Sequence, residues 1–164
     1  NSVVVKFEYK VRITNEGEIA GYAKEIKDRI PDGLEFEEAD NPNWKMLEDG
    51  TVVTDELKDK LLQPGESAEV IIVLKWINSP TNLGVKINFA EISKDHNDYG
   101  TPDIDSTPNN NVPGEDDIDD APVMLTVKTG SQDLKYMLAI LVVLTALVGS
   151  VSLLKKNLQK NKYN

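Results

Sequence analysis

The chain of 164 residues has no cysteine and a single histidine, and aromatic residues make up only 6% of it. Without cysteine there is neither a disulfide nor a thiolate metal site. With His96 alone, a His-centred metal centre and a Ser-His-Asp triad lack their usual parts. No phosphate-binding loop, dinucleotide fingerprint or internal repeat occurs. These absences argue against an enzyme. Basic charge is also scarce over most of the chain. Five of the 18 Lys+Arg lie in residues 135–164, where there is no acid, giving +5; the other 13, set against 28 Asp+Glu, leave residues 1–134 at -15. So acidic a region suits neither nucleic acid nor an anionic membrane surface.

The one long uncharged run is Tyr136 to Leu154, YMLAILVVLTALVGSVSLL. It matches the roughly 20 apolar residues that a helix needs to cross a bilayer. Lys155, Lys156, Lys160 and Lys162 follow it, and basic residues just past a span mark its cytoplasmic end. The alternative is a buried core helix, which would usually show a polar stripe. The sequence thus predicts an outward-facing domain over 1–128, a linker at 129–135, a transmembrane helix over 136–154 and a basic cytoplasmic tail over 155–164. Localisation would be the cell membrane, single-pass, with the N-terminal domain extracellular. An exported domain needs a signal, and none precedes it here, so the expectation is the C-terminal part of a longer precursor.

Residues 1–134 suffice for one domain with a real core. Val3, Val5, Phe7, Tyr9, Val11 and Ile13 alternate with mostly polar neighbours, predicting a long half-buried strand. A second strand runs roughly from Ile19 to Ile30 and stops at Pro31-Asp32-Gly33. Leu34 and Phe36 form a short strand, and Trp44 to Thr54 a hairpin about Asp49-Gly50. Residues 55–63 read as a helical turn or loop with Leu57, Leu61 and Leu62 facing in. Further strands cover Ala68 to Ile77, Val85 to Ile92 and Val123 to Val127. Trp44 and Trp76 are expected in the core. About seven short strands separated by turns, with little helix, predict an all-β, immunoglobulin-like antiparallel β-sandwich.

Four segments carry a resemblance: YKVRITN (9–15), EGEIAGYAKEIKDRIPDGLEF (16–36), LQPGESAE (62–69) and NFAEI (88–92). In this order they resemble the conserved repeat domain of Gram-positive, often clostridial, cell-surface proteins, of the collagen-adhesin immunoglobulin-like type. The resemblance covers about residues 3–128, and IKDRIPDGLEF is its most specific part. It implies a structural stalk or spacer that projects the preceding modules of the same precursor. The alternative is an adhesin module that itself binds an extracellular host or matrix ligand. Fold alone does not decide between them. The C-terminus resembles a cell-wall sorting tail, but residues 126–130 read TVKTG where that tail has LPxTG; the missing Leu and Pro favour retention in the membrane.

Two sets of residues are candidates for chemistry. By strand parity Ile26, Asp28 and Ile30 share an apolar face, with Lys27 and Arg29 on the other. A buried acid is costly to ionise, so its pKa should rise; the alternative is a strand-end acid that caps a turn or pairs with a base. The resemblance implies that an acid at the place of Asp28 promotes an isopeptide bond between a Lys and an Asn, and Asn88 of Asn88-Phe89-Ala90 matches the acceptor. It places the Lys on a strand upstream of YKVRITN, outside this chain. Lys6 and Lys10, the early lysines present, have the parity opposite to Phe7 and Tyr9.

The second set is the acidic insert 95–120. It holds Asp95, Asp98, Asp103, Asp105, Glu115, Asp116, Asp117, Asp119 and Asp120 with no Lys or Arg. Clustered carboxylates and amides suit calcium. DHNDYG departs from an EF-hand: Tyr99 falls at a ligand position and Ser106 stands where the bidentate Glu belongs. The expectation is a looser calcium site drawn from Asp95, Asp98, Asp103, Asp105, Glu115, Asp116 and Asp117; the alternative is a solvated acidic loop.

Overall fold

Alternation over Phe7–Ile13 does what its period dictates. In the computed structural model, which describes residues 4–126 and 144–147, strand β1 (Lys6–Thr14) buries Phe7, Tyr9, Val11 and Ile13 and turns the residues between them outward. Strand β6 (Ser67–Trp76) buries Ala68, Val70, Ile72, Leu74 and Trp76 in the same way. The two pair antiparallel, with Tyr9 opposite Ile72. Each fully buried aliphatic side chain of this kind contributes about 1.5–3 kcal/mol relative to exposure.

Two sheets result. One has the order β3-β6-β1-β9, where β3 is Leu34–Phe36 and β9 is Leu144–Leu147. The other has the order β4-β5-β2-β7-β8. Its strands are β2 (Tyr22–Arg29), β4 (Lys45–Met46), β5 (Val52–Thr54), β7 (Gly84–His96) and β8 (Ile118–Leu125). The inward rows of both sheets join in one core that also takes in Leu57 and Leu62. The described residues are therefore mostly β, with a single short 3-10 turn, Glu38–Asp40. Pairing is antiparallel throughout except between β1 and β9.

Both tryptophans are buried, as expected, and each indole N–H finds a carbonyl: Ile71 O for Trp44 and Asn82 O for Trp76. Pro122 lies on β8, an edge strand, where its missing N–H breaks no ladder. Two expectations need correction. Leu61 is exposed, because the turns over 55–60 point only Leu57 and Leu62 into the core. Strand β7 continues to His96 and β8 begins at Ile118, so the connection between them is shorter than the acidic segment 95–120. The expected membrane helix over 136–154 lies outside the described residues except at Leu144–Leu147, where the backbone is a strand parallel to β1. The edge of β1 away from β6 offers unpaired backbone groups, and an added strand satisfies them. Among the described residues no helix is long and apolar enough to cross a membrane.

Candidate functional site

The second sheet carries polar groups on both faces of β2 and β7. On the inward face, Asp28 sits in the row of Ile26 and is 0% exposed. The register sets Asp28 opposite Ala90 and Arg29 opposite Phe89, so Asn88 lies one inward position along from Ala90. Asn88 is 3% exposed, and its Nδ2 donates to Asp28 Oδ2 at 2.5 Å. The parity of Asp28 and the pairing with Asn88 both emerge from the fold. Asp28 Oδ1, Asn88 Oδ1 and the hydroxyl of Tyr9, which reaches in from the other sheet, are buried with no hydrogen-bond partner.

Burial pushes the Asp28 carboxyl up to about 7, against the smaller opposing pulls of the Asn88 hydrogen bond and the Arg29 charge. Burial, and then the field of Asp28, also pushes the Tyr9 hydroxyl up. At neutral pH Asp28 is thus divided between acid and carboxylate, and can take or give a proton. As an acid it can donate to a carbonyl oxygen such as Asn88 Oδ1, which draws electron density from Cγ. An amine entering here would meet buried polar atoms that lack a partner. The early lysines do not supply it. The Lys6 ammonium lies 2.5 and 2.7 Å from the two Asp40 carboxylate oxygens, and Lys10 is on the outward row of β1.

On the outward face, Arg29 donates to Glu91 Oε2 at 2.5 Å, and Glu91 is 1% exposed. Its other oxygen accepts the backbone N–H of Asn111 at 2.9 Å. Lys27 reaches Asn109 Oδ1, and Ile92 N–H bonds Asp117 O. The acidic insert is therefore fastened to β2 and β7 by three contacts, Asn111 to Glu91, Lys27 to Asn109 and Ile92 to Asp117. Within it, carboxylate oxygens of Asp103, Asp105 and Asp116 lie within 4.8 Å of one another. Asp117 is buried, and neither of its oxygens has a partner. Its carboxyl is pushed up to about 6 by burial and then by Glu91, Glu115 and Asp116. Glu115 accepts from Thr107 N–H and the Asn110 amide. Asp95, Asp98, Glu115 and Asp117 are not in the cluster: Asp95 is exposed opposite Ala23, and Asp98 lies 3.6 Å from His96.

Sequence reasoning missed Tyr9 as a member of the inner site, since it reads as one more apolar inward residue of β1. It also missed the Arg29–Glu91 pair, whose two members sit on the outward rows that periodicity assigns to solvent. Comparison of the chain with protein-family models, curated proteins and solved structures gave no match.

Proposed function

We propose that this chain is an immunoglobulin-like structural module of a bacterial surface protein. It stands next to the membrane, projects the modules before it, and carries at Asp28 and Asn88 the site of an intramolecular amide cross-link. The observation that carries the reading is the buried Asn88 amide held on a buried Asp28 carboxyl, with Tyr9 beside them. The chemistry balances without a cofactor. A neutral lysine amine of a preceding strand attacks Asn88 Cγ, the Nζ–Cγ bond forms and the Cγ–Nδ2 bond breaks. Asp28 takes the amine proton and gives one to the leaving nitrogen, which departs as ammonia. In a domain without cysteine the bond restricts the unfolded chain as a disulfide does. For a loop approaching a hundred residues that is worth roughly 4–5 kcal/mol in the chain-entropy model.

The uncharged run 136–154 and the lysines after it support the membrane-proximal placement. An adhesin would be favoured by an exposed aromatic patch; among the described residues Tyr99 is the only largely exposed aromatic. The test is intact mass. A chain extended at its N-terminus by the preceding strand should be short by one ammonia, and Asp28→Ala and Asn88→Ala should each restore the full mass and lower the melting temperature. The chain of Asn1–Asn164 should show its full mass, because Lys6 and Lys10 face away. Full mass in the extended chain would reduce Asp28 to a structural acid and overturn the cross-link.

A further inference from the structure

We infer that the open end of the β7–β8 pair is the surface by which the domain rests on a lipid bilayer. Charge and apolar surface are sorted along these two strands. Residues 77–90 and 121–132 carry Lys86 and Lys128 and no acid, in a chain with 28 Asp+Glu. The far ends of the same strands are joined through the acidic segment, which has no Lys or Arg between residues 95 and 120. At the acid-free end, Val85 stands opposite Met124 and Ile87 opposite Pro122 on the outward rows. Val85 is 51% exposed, Ile87 41% and Met124 61%, and Pro122 is exposed as well. The four make one apolar block, and Lys86 lies between two of them in sequence. Among the described residues Lys86 makes no ion pair. Further along, the same face turns acidic, with Phe89 opposite Asp120. Single exposed apolar residues need no account, but a contiguous block of them marks a contact surface.

The bilayer is the occupant that the chain itself brings near. The inference rests on the reading of 136–154 as a membrane span, in which Leu144–Leu147 belongs to the span and leaves the edge of β1. Strand β8 ends at Leu125, at the same end as the apolar block, and residues 127–135 lie between Thr126 and the span. Nine extended residues reach at most about 32 Å, so the domain is kept close to the lipid. Apolar side chains set about a lysine suit that interface. The former enter the acyl boundary, and the ammonium stays with the lipid phosphates. With its acids at the far end of the strands, the domain meets an anionic leaflet with least repulsion this end first. A second copy fits the block less well. Patch against patch, it would set two domains side by side that each carry -15 over residues 1–134. Pro122 also removes an N–H from β8, the edge strand that would have to pair with the copy.

The chain has no cysteine, so a single introduced cysteine reports one position. Val85→Cys, Met124→Cys, Thr101→Cys in the insert and Leu144→Cys in the span are each labelled with an environment-sensitive fluorophore. The full chain is then placed in vesicles of equal parts phosphatidylcholine and phosphatidylglycerol, with and without nitroxide-bearing lipid. The nitroxide should quench the labels at positions 85 and 124 about twofold, quench the label at 144 more strongly and leave the label at 101 unchanged. Quenching at 144 without quenching at 85 and 124 would overturn the docking surface and leave the span standing. No quenching at 144 would overturn the span and the surface with it. Quenching at 101 equal to that at 85 would show that the domain has no preferred face, and would overturn the surface too. So would shielding of 85 and 124 that persists in detergent and grows with protein concentration, which would assign the block to a second copy.

Discussion

Asp28→Asn keeps the shape of the side chain and removes its charge, which isolates what ionisation of a fully buried acid costs. In the folded protein the carboxyl titrates at about 7, and in an open chain it would titrate near its ordinary 3.8. At 1.36 kcal/mol per pH unit the gap corresponds to about 4 kcal/mol. The sign follows from proton binding. Between these two values the folded state holds a proton that the unfolded state has released, so stability falls as pH rises. The parent suffers only a small penalty at pH 4, an increasing one through pH 5 and 6, and nearly all of it at pH 8. Asn at position 28 can still accept the Asn88 N–H through its carbonyl. Asp28→Asn should therefore lie within about 1 kcal/mol of the parent at pH 4 and exceed it by up to about 4 kcal/mol at pH 8. The assay is urea unfolding of the Asn1–Asn164 chain at four pH values in one salt. Other shifted acids, among them Asp117 pushed up and Asp49 held down by Thr51, are present in both proteins and drop out of the difference. A variant less stable than the parent at pH 8, or a gap that does not change with pH, would refute the reasoning.

Gly33 has φ +92, and a Cβ there would run into the Asn82 carboxamide, which bonds the carbonyls of Gly33 and Ile77. Gly33→Ala should cost about 2–3 kcal/mol, from the left-handed backbone and the displaced hydrogen bonds together. Gly50→Ala, with φ +83 but open space around it, should cost only about 1 kcal/mol; equal shifts in urea midpoint would show that Asn82 does not matter. On intact cells carrying the protein with an epitope after Asn164, added protease should remove residues before about Asp133 and spare the epitope. Loss of the epitope across a sealed membrane would overturn the topology.

The strands that a reader of the sequence can place are those with one wet face. Phe7–Ile13 and Ala68–Trp76 alternate cleanly because their outward residues are polar, and parity alone put Asp28 among Ile26 and Ile30. Asn88 resisted parity, since Lys86 and Ala90 share its row, and only the antiparallel register of β7 with β2 settles its facing. Tyr9 was visible as an inward residue, but which group its hydroxyl would meet depends on how two sheets stack, and no local pattern carries that. Glu91 defeats periodicity for a different reason. It points away from the core and is buried all the same, because the insert closes over it. The acidic composition of that insert was plain. Which of its carboxylates converge was not, since Asp105 and Asp116 are brought together by chain reversal rather than by spacing.

Burial of β2 and β7 on both faces explains how a domain without cysteine can keep so many charges in its middle. Left at the surface, Arg29 and Glu91 would be an ordinary ion pair worth less than about 1 kcal/mol. Under the insert, each loses water and depends on the other, and Glu91 takes its second hydrogen bond from the insert backbone at Asn111. The insert in turn needs the sheet, because it has no Lys or Arg of its own and Lys27 of β2 reaches it at Asn109. The Lys27–Asn109 and Glu91–Asn111 contacts hold the stretch 109–111.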